Sequence, residues 1–356
     1  MKHATLFLSL LFCILVISCH RQQQGGCLVI DLVNHKSLPT EQIALSDISE
    51  SIQIIRLETS DSSLVGSVRS IKSEAGKLFI HASNGVFVFD IYGKFLNTVG
   101  SKGRGPKEYV GLYAIYPEDD IVWLLDDSGK KALKYTDSGT FLESFDFEKL
   151  RFTDYYYSGS DAFIGFVPDQ GQSHTDIMLA FFDATGIIDS VLYKKPIRGD
   201  VMQRFLYDEA TFAYHGAQIK YKYLFNDTIY HIKDNELHSN MVLHLGEGKA
   251  NEHARADAAN KGLNYDLFQD MDLIRLLGES SRYVYLHTGN AKIFWDKRER
   301  KAHKWGFTLP NDKRIDPEEA KKFIPDYIDK YGNLTGVTTS ANPENNQVIV
   351  IAKLKQ

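Results

Sequence analysis

Gly93, Gly139 and Gly186 stand 46 and 47 residues apart, each inside a similar stretch of chain. LFIHASNGVFVFDIYGKFLNTVG starts at Leu78 and IVWLLDDSGKKALKYTDSGTFLESF starts at Ile121. Both hold a short apolar run, a polar turn, a second run ending in an aromatic, a glycine turn and a third run. Phe89 and Tyr135 lie four residues before their glycines, and Phe95 and Phe141 lie two after. A weaker copy, LAFFDATGIIDSVLY from Leu179, places Phe182 and Ile188 alike around Gly186. Glycine supplies the positive φ that a tight hairpin loop demands. A unit of three or four short strands cannot cover both of its faces, so copies must stack. A strand-only repeat of about 45 residues leads to an all-β fold, the β-propeller.

Blurred later copies begin at Tyr223, Arg282 and Asn346. Dividing residues 51–356 by a repeat of about 46–51 gives six blades, or seven if insertions are short. Two segments break the pattern. Residues 251–281 are rich in helix formers, with Leu267, Met271, Ile274 and Leu277 at helical spacing. Residues 316–331 open with Asp316 as a helix cap and Pro317 at the first helical position. Both are expected as short helical insertions on a propeller face. SIQIIRLET (51–59) is a strand without a following hairpin, and QVIVIAKLK ends the chain. Pairing 52–58 antiparallel with 348–353 would close the ring and remove an open sheet edge.

The N-terminus sets the address. Met1-Lys2-His3 is short and basic, Ala4 to Ile17 is almost wholly apolar, and a polar tail follows Cys19. An apolar run this short suits a signal peptide rather than a span, which needs about 20 residues. Val16-Ile17-Ser18-Cys19 resembles the lipobox of bacterial lipoproteins. That resemblance implies a signal peptide over 1–18, cleavage before Cys19 and acylation there; an ordinary signal peptide with a chance cysteine is the alternative. Residues 19–50 then form the lipidated cysteine and a tether whose later part lies along the outside of the domain, and 51–356 form the propeller. Cys27 is left with no partner within the mature chain, so the core alone must stabilise the domain. A net charge of −5 gives no basic footprint for nucleic acid.

LSDISESIQIIRLET (45–59), GKFLNTVGSKGRGPKEY (93–109) and YLFNDTIYHI (223–232) resemble the six-bladed β-propeller lipoproteins of Bacteroides and its relatives. The loop with Gly103, Gly105, Pro106, Glu108 and Tyr109 is specific for that group, although Lys107 stands where glycine is common. The resemblance implies fold and address and carries over no catalytic residue.

GSKGRGPKEYVG (100–111) is the candidate site. Glycines can expose backbone N–H groups, Lys102, Arg104 and Lys107 add positive charge, and Tyr109 could offer a flat partner. Lys102, Arg104, Glu108 and Tyr109 are the candidate ligand-binding residues, weighed against a purely architectural inter-blade crossing. Asp126 and Asp127 lack the spaced oxygen ligands of a calcium loop and read as a solvated hairpin. No motif calls for a cofactor or a metal. The sequence therefore reads as a lipid-anchored envelope propeller that binds a glycan, peptide or protein, meeting the membrane through Cys19. The alternative is a channel-centred metal-dependent hydrolase or lyase, marked by His, Asp or Glu converging on the ring axis.

Overall fold

The chain alternates short strands with tight turns, and in the computed structural model these strands form six sheets. The structure describes residues 27–146, 154–159, 162–166, 177–183, 188–194, 209–251, 254–255, 271–289, 291–321, 323–338 and 344–356. The signal peptide, Cys19, Gly186 and Leu267 lie outside the described residues.

The first blade is Val68–Glu74, Lys77–Ala82, Gly85–Asp90 and Phe95–Thr98, each strand antiparallel to the next. The second runs over Leu112–Glu118, Ile121–Asp126, Lys131–Thr136 and Phe141–Asp146, and the third spans 154–194. The fourth spans 210–244 and the fifth 274–308. The sixth takes three strands from 324–354 and its outermost strand, Ser49–Arg56, from the other end of the chain. The fold is a six-bladed β-propeller.

Middle strands such as Lys77–Ala82 and Gly85–Asp90 are buried along nearly their whole length, whereas the outer strand Phe95–Thr98 is only half-buried or exposed. The reason is stacking, since each blade covers both faces of its neighbour's middle strands. Buried apolar side chains among the described residues accordingly fall into six clusters, one at each interface between adjacent blades. Between the second and third blades, Trp123 packs edge-on against Phe163 with ring centroids 5.2 Å apart. The core is thus a ring around an axis.

Gly93 and Gly139 both have φ of +89°. Each also abuts the preceding blade, where an added Cβ would run into the carbonyl oxygen of Arg56 or Thr98. Conformation and contact therefore both demand glycine at these repeat positions.

Closure is as the sequence implied, with Val350 opposite Ile54 and Ala352 opposite Ile52 in an antiparallel ladder. The closing strand is Ser49–Arg56, a few residues earlier than expected. Asn346, 1% exposed, ties the crossing into the first blade to the sixth. It accepts from Val65 N at 2.7 Å and donates to the carbonyls of Glu58 and Ser63 at 2.7 and 2.8 Å.

The N-terminal segment is more ordered than a tether lying alongside. Leu28–Asp31 adds parallel to the outer strand of the fourth blade and Thr40–Ala44 parallel to that of the fifth. Both cover edges that would otherwise be open.

The expected helical insertions need correction. Asp316 does cap a helix, accepting from Glu318 N at 2.8 Å, but the helix is the single turn Pro317–Ala320. Ile324–Ile328 is the inner strand of the sixth blade, and Ile274–Glu279 the inner strand of the fifth. Ile274, Leu276 and Gly278 are buried in alternation, so a strand period operates where a helical spacing was counted.

Candidate functional site: the axial channel

The innermost strand of each blade faces the axis, and together they enclose a cavity of about 660 Å³. All six contribute, from Ser70 and Lys72 in the first blade to Tyr327 and Lys330 in the sixth. The inner strands end in hairpins at one mouth, where Glu74, Glu118, Gly216 and Lys330 meet the cavity.

One wall is aromatic. Tyr156 from the third blade stands at its centre, 5.4 Å from the Tyr116 ring, 5.3 Å from Phe212 and 5.0 Å from Tyr214, between centroids. Tyr214 donates to the Tyr157 carbonyl at 2.9 Å, and Tyr157 donates to Glu118 Oε2 at 2.6 Å. Burial, and then the neighbouring tyrosines, raise the pKa of Tyr156 well above the ordinary tyrosine value. The Tyr156 and Tyr214 hydroxyls, the latter also raised by burial, stay protonated and act as neutral donors and acceptors.

The opposite wall is charged and lies at the seam between the sixth and first blades. Lys330 Nζ is 2.6 Å from Glu74 Oε2. Lys72 Nζ sits 5.0 Å from the Tyr327 ring centre, and the Tyr327 hydroxyl donates to the Ile71 carbonyl. Burial lowers the pKa of Lys72, against the pull of Asp329. Burial raises that of Asp329, although its carboxylate accepts from Tyr331 N and from both nitrogens of Asn333 at 2.8–3.0 Å. The cavity therefore offers flat apolar surface on one side and fixed charges on the other. This suits a ligand with an apolar face and a polar edge.

Among the described residues, no three His, Cys, Asp or Glu side chains are grouped to hold a metal. The donor set expected of a channel-centred metal-dependent hydrolase or lyase does not form among them.

The loop picked out in the sequence lies at the start of the second blade's inner strand, at the opposite end from the Glu118 hairpin. Its four candidate residues do not converge. Lys102 and Arg104 are exposed, and Lys102 Nζ donates to the Ser83 carbonyl at 2.5 Å. Glu108 turns inward, accepts from Gly105 N at 2.8 Å and fills the space beside Gly103 and Gly105. Tyr109 is 2% exposed and packs in the cluster between the first and second blades, so its ring presents no face to a ligand.

The glycine N–H groups are not left open either. Gly103 N bonds the Tyr109 carbonyl, and Gly111 N and Val110 N bond Asp126 at 2.9 Å. Asp126, 2% exposed, also accepts from Gly129 N at 2.9 Å. The pair read as a solvated hairpin is half structural, because Asp126 fastens this loop while Asp127 faces Lys130 at 3.3 Å.

The channel residues escaped the sequence reading because their strands carry mixed polarity. A usable signal was the tyrosine or phenylalanine placed just before the first hairpin in YAIYPE, DYYYSG and ATFAYH.

A protein of Bacteroides fragilis described as exported has a similar fold, with a TM-score of 0.68 and 18% identity over 92% of this chain and 100% of its own. A DUF4221 family member from Bacteroides vulgatus is similar at a TM-score of 0.50 and 12% identity, over 86% of this chain and 97% of its own. At these identities the likeness is one of fold. No curated protein matches the sequence. The pattern of the family described as a domain of unknown function, DUF4934, matches residues 27–353, and the chain belongs to that family.

Proposed function

We propose that this chain is an exported, lipid-anchored propeller of the cell envelope that holds a glycan, a peptide or a segment of a partner protein in its axial channel. The observation that carries this reading is the cavity of about 660 Å³ with its aromatic wall facing an ion-paired wall. Its size lies within the usual range of about 300–1,000 Å³ for ligand pockets. Its side chains stand on inner strands braced by neighbouring blades, so the site is preorganised.

The address rests on the apolar run before Cys19 and is supported by a neighbour of the same fold described as exported. Leu28–Asp31 follows closely after Cys19 and lies on the outer edge of the fourth blade. A lipid at Cys19 would bring that edge to the membrane and leave both mouths of the channel accessible.

The site is tested by capture on glycan and peptide arrays. Tyr116→Ala with Phe212→Ala should abolish capture while the protein stays folded by circular dichroism. Undiminished capture would move the site elsewhere. The anchor is tested with labelled palmitate, which should enter the parent and not Cys19→Ala. A Cys19→Ala protein wholly retained in the membrane fraction would sink the anchor.

A further inference from the structure

At the other end of the first blade from the hairpin mouth, Arg69 and Lys102 lie near His81 with no acidic partner among the described residues. Arg69 is exposed and sits where the pairing register with Lys77–Ala82 shifts, between Val68 and Ser70. Such a bulge re-aims the side chain it carries. Ser70, the next residue, lines the channel and pairs with His81. His81 is 4% exposed. Lys102 reaches over from the 100–111 loop and places its ammonium on the Ser83 carbonyl at 2.5 Å, two residues beyond His81. Arg104 projects from the same loop and is exposed. Among the described residues, Arg69 and Arg104 have no hydrogen bond or ion pair, and Lys102 bonds only that carbonyl.

The nearest carboxylates of the loop are already committed. Glu108 accepts from Gly105 N, and Asp126 accepts from Val110, Gly111 and Gly129. Lys102 and Arg104 thus project from a frame whose backbone is satisfied, which fixes their origin without neutralising them. The imidazole reports the result. Burial, then Arg69, then Lys102 lower the pKa of His81 to about 4. Positive groups crowded around a buried ring raise one another's energy, and an anion among them would relieve it.

We propose that Arg69 and Lys102, backed by His81, form a binding site for a small oxyanion at the end of the channel opposite the hairpin mouth. The chemistry is that of a carboxylate, sulfate or phosphate, either free or terminal on a larger ligand. Arg69 donates through its guanidinium and Lys102 through its ammonium, in charge-assisted hydrogen bonds. Arg104 adds to the local positive potential that draws the anion in. The site is independent of the aromatic wall and stands or falls separately from it.

The experiment is calorimetric titration of the purified domain with sodium phosphate, sodium sulfate and sodium glucuronate, each against sodium chloride at matched ionic strength. The His81 imidazole is followed by NMR in the same solutions. Saturable binding of at least one oxyanion is expected, with the His81 pKa rising by about one unit as the anion binds. Whichever anion saturates identifies the chemistry. Arg69→Gln with Lys102→Met should weaken that binding by roughly tenfold or more, with the melting temperature unchanged because both side chains are exposed. His81 curves identical in chloride and in all three oxyanions would overturn the site. So would full affinity in the double variant.

Discussion

Lys330 Nζ stands 2.6 Å from Glu74 Oε2 and joins the first hairpin of the sixth blade to that of the first across the seam of the ring. The pair is part-exposed, and Tyr331 adds a hydroxyl 3.4 Å from the same oxygen. Burial alone would pull the Lys330 pKa down, but the hydrogen bond and charge of Glu74 outweigh it and hold it above the ordinary lysine value. A group raised in this way stabilises the folded state at neutral pH and loses that contribution as pH climbs through its folded value. Glu74→Gln should lower stability by about 1 kcal/mol or less. A double-mutant cycle with Lys330→Met checks this, and the coupling should shrink in high salt.

Ring closure makes a sharper claim. Deleting residues 1–26 should leave the melting temperature nearly unchanged, because it spares every described strand, the first of which is Leu28–Asp31. Deleting 1–56 removes the strand that carries Ile54 and Ile55, each 2% exposed, and uncovers Val348–Leu354. That truncation should unfold the domain or lower its melting point by more than 10 °C, about 3 kcal/mol or more for a domain of this size. Equal melting points would contradict the closed ring.

Asn346→Ala tests how the seam is fastened. The side chain satisfies Val65 N and the carbonyls of Glu58 and Ser63 in a buried setting. Stranding these groups should cost about 2–4 kcal/mol, read by denaturant unfolding. Asn346→Asp should recover little, because a carboxylate can accept from Val65 N but cannot donate to either carbonyl.

Lys222 gives a pH signature. Its ammonium is buried in the fourth blade, donating to the carbonyls of Tyr223 and of Asn226, the latter at 2.7 Å. Burial lowers its pKa to about 7, against the upward pull of Asp227. An unfolded lysine titrates near pH 10.4, so from about pH 7 to about pH 10 the unfolded chain holds a proton that the folded chain lacks. Stability should therefore rise with pH across that window through this residue and be independent of it below about pH 7. Denaturant unfolding at pH 7, 8 and 9 should show Lys222→Met losing this rise relative to the parent. Parallel curves for the two proteins would rule the titration out.

The repeat was legible because a hairpin is local. Gly93 and Gly139 announce the turn within a few residues, and the apolar runs beside them announce strands buried on both faces. Closure was legible too, since SIQIIRLET had no hairpin partner of its own and the last strand lay at the far end of the chain. The inner strands were harder to see. Ile324–Ile328 and Ile274–Glu279 are short, mixed in polarity and preceded by helix-forming residues, so helical spacing competed with strand alternation.

Sequence alone determined the glycine turns and the stacked middle strands, because those follow from backbone conformation and the burial of nearby apolar side chains. The tertiary structure alone decided the channel. Tyr116, Tyr156 and Tyr214 lie on three different blades, and their place near a hairpin is local whereas their meeting on one wall is not. Glu74 and Lys330 are separated by nearly the whole domain. Tyr109 went the other way, because it appeared available in its loop but the neighbouring blade buries it. Turn geometry is set over a few residues, whereas a cavity on a ring axis exists only once all six blades have closed around it.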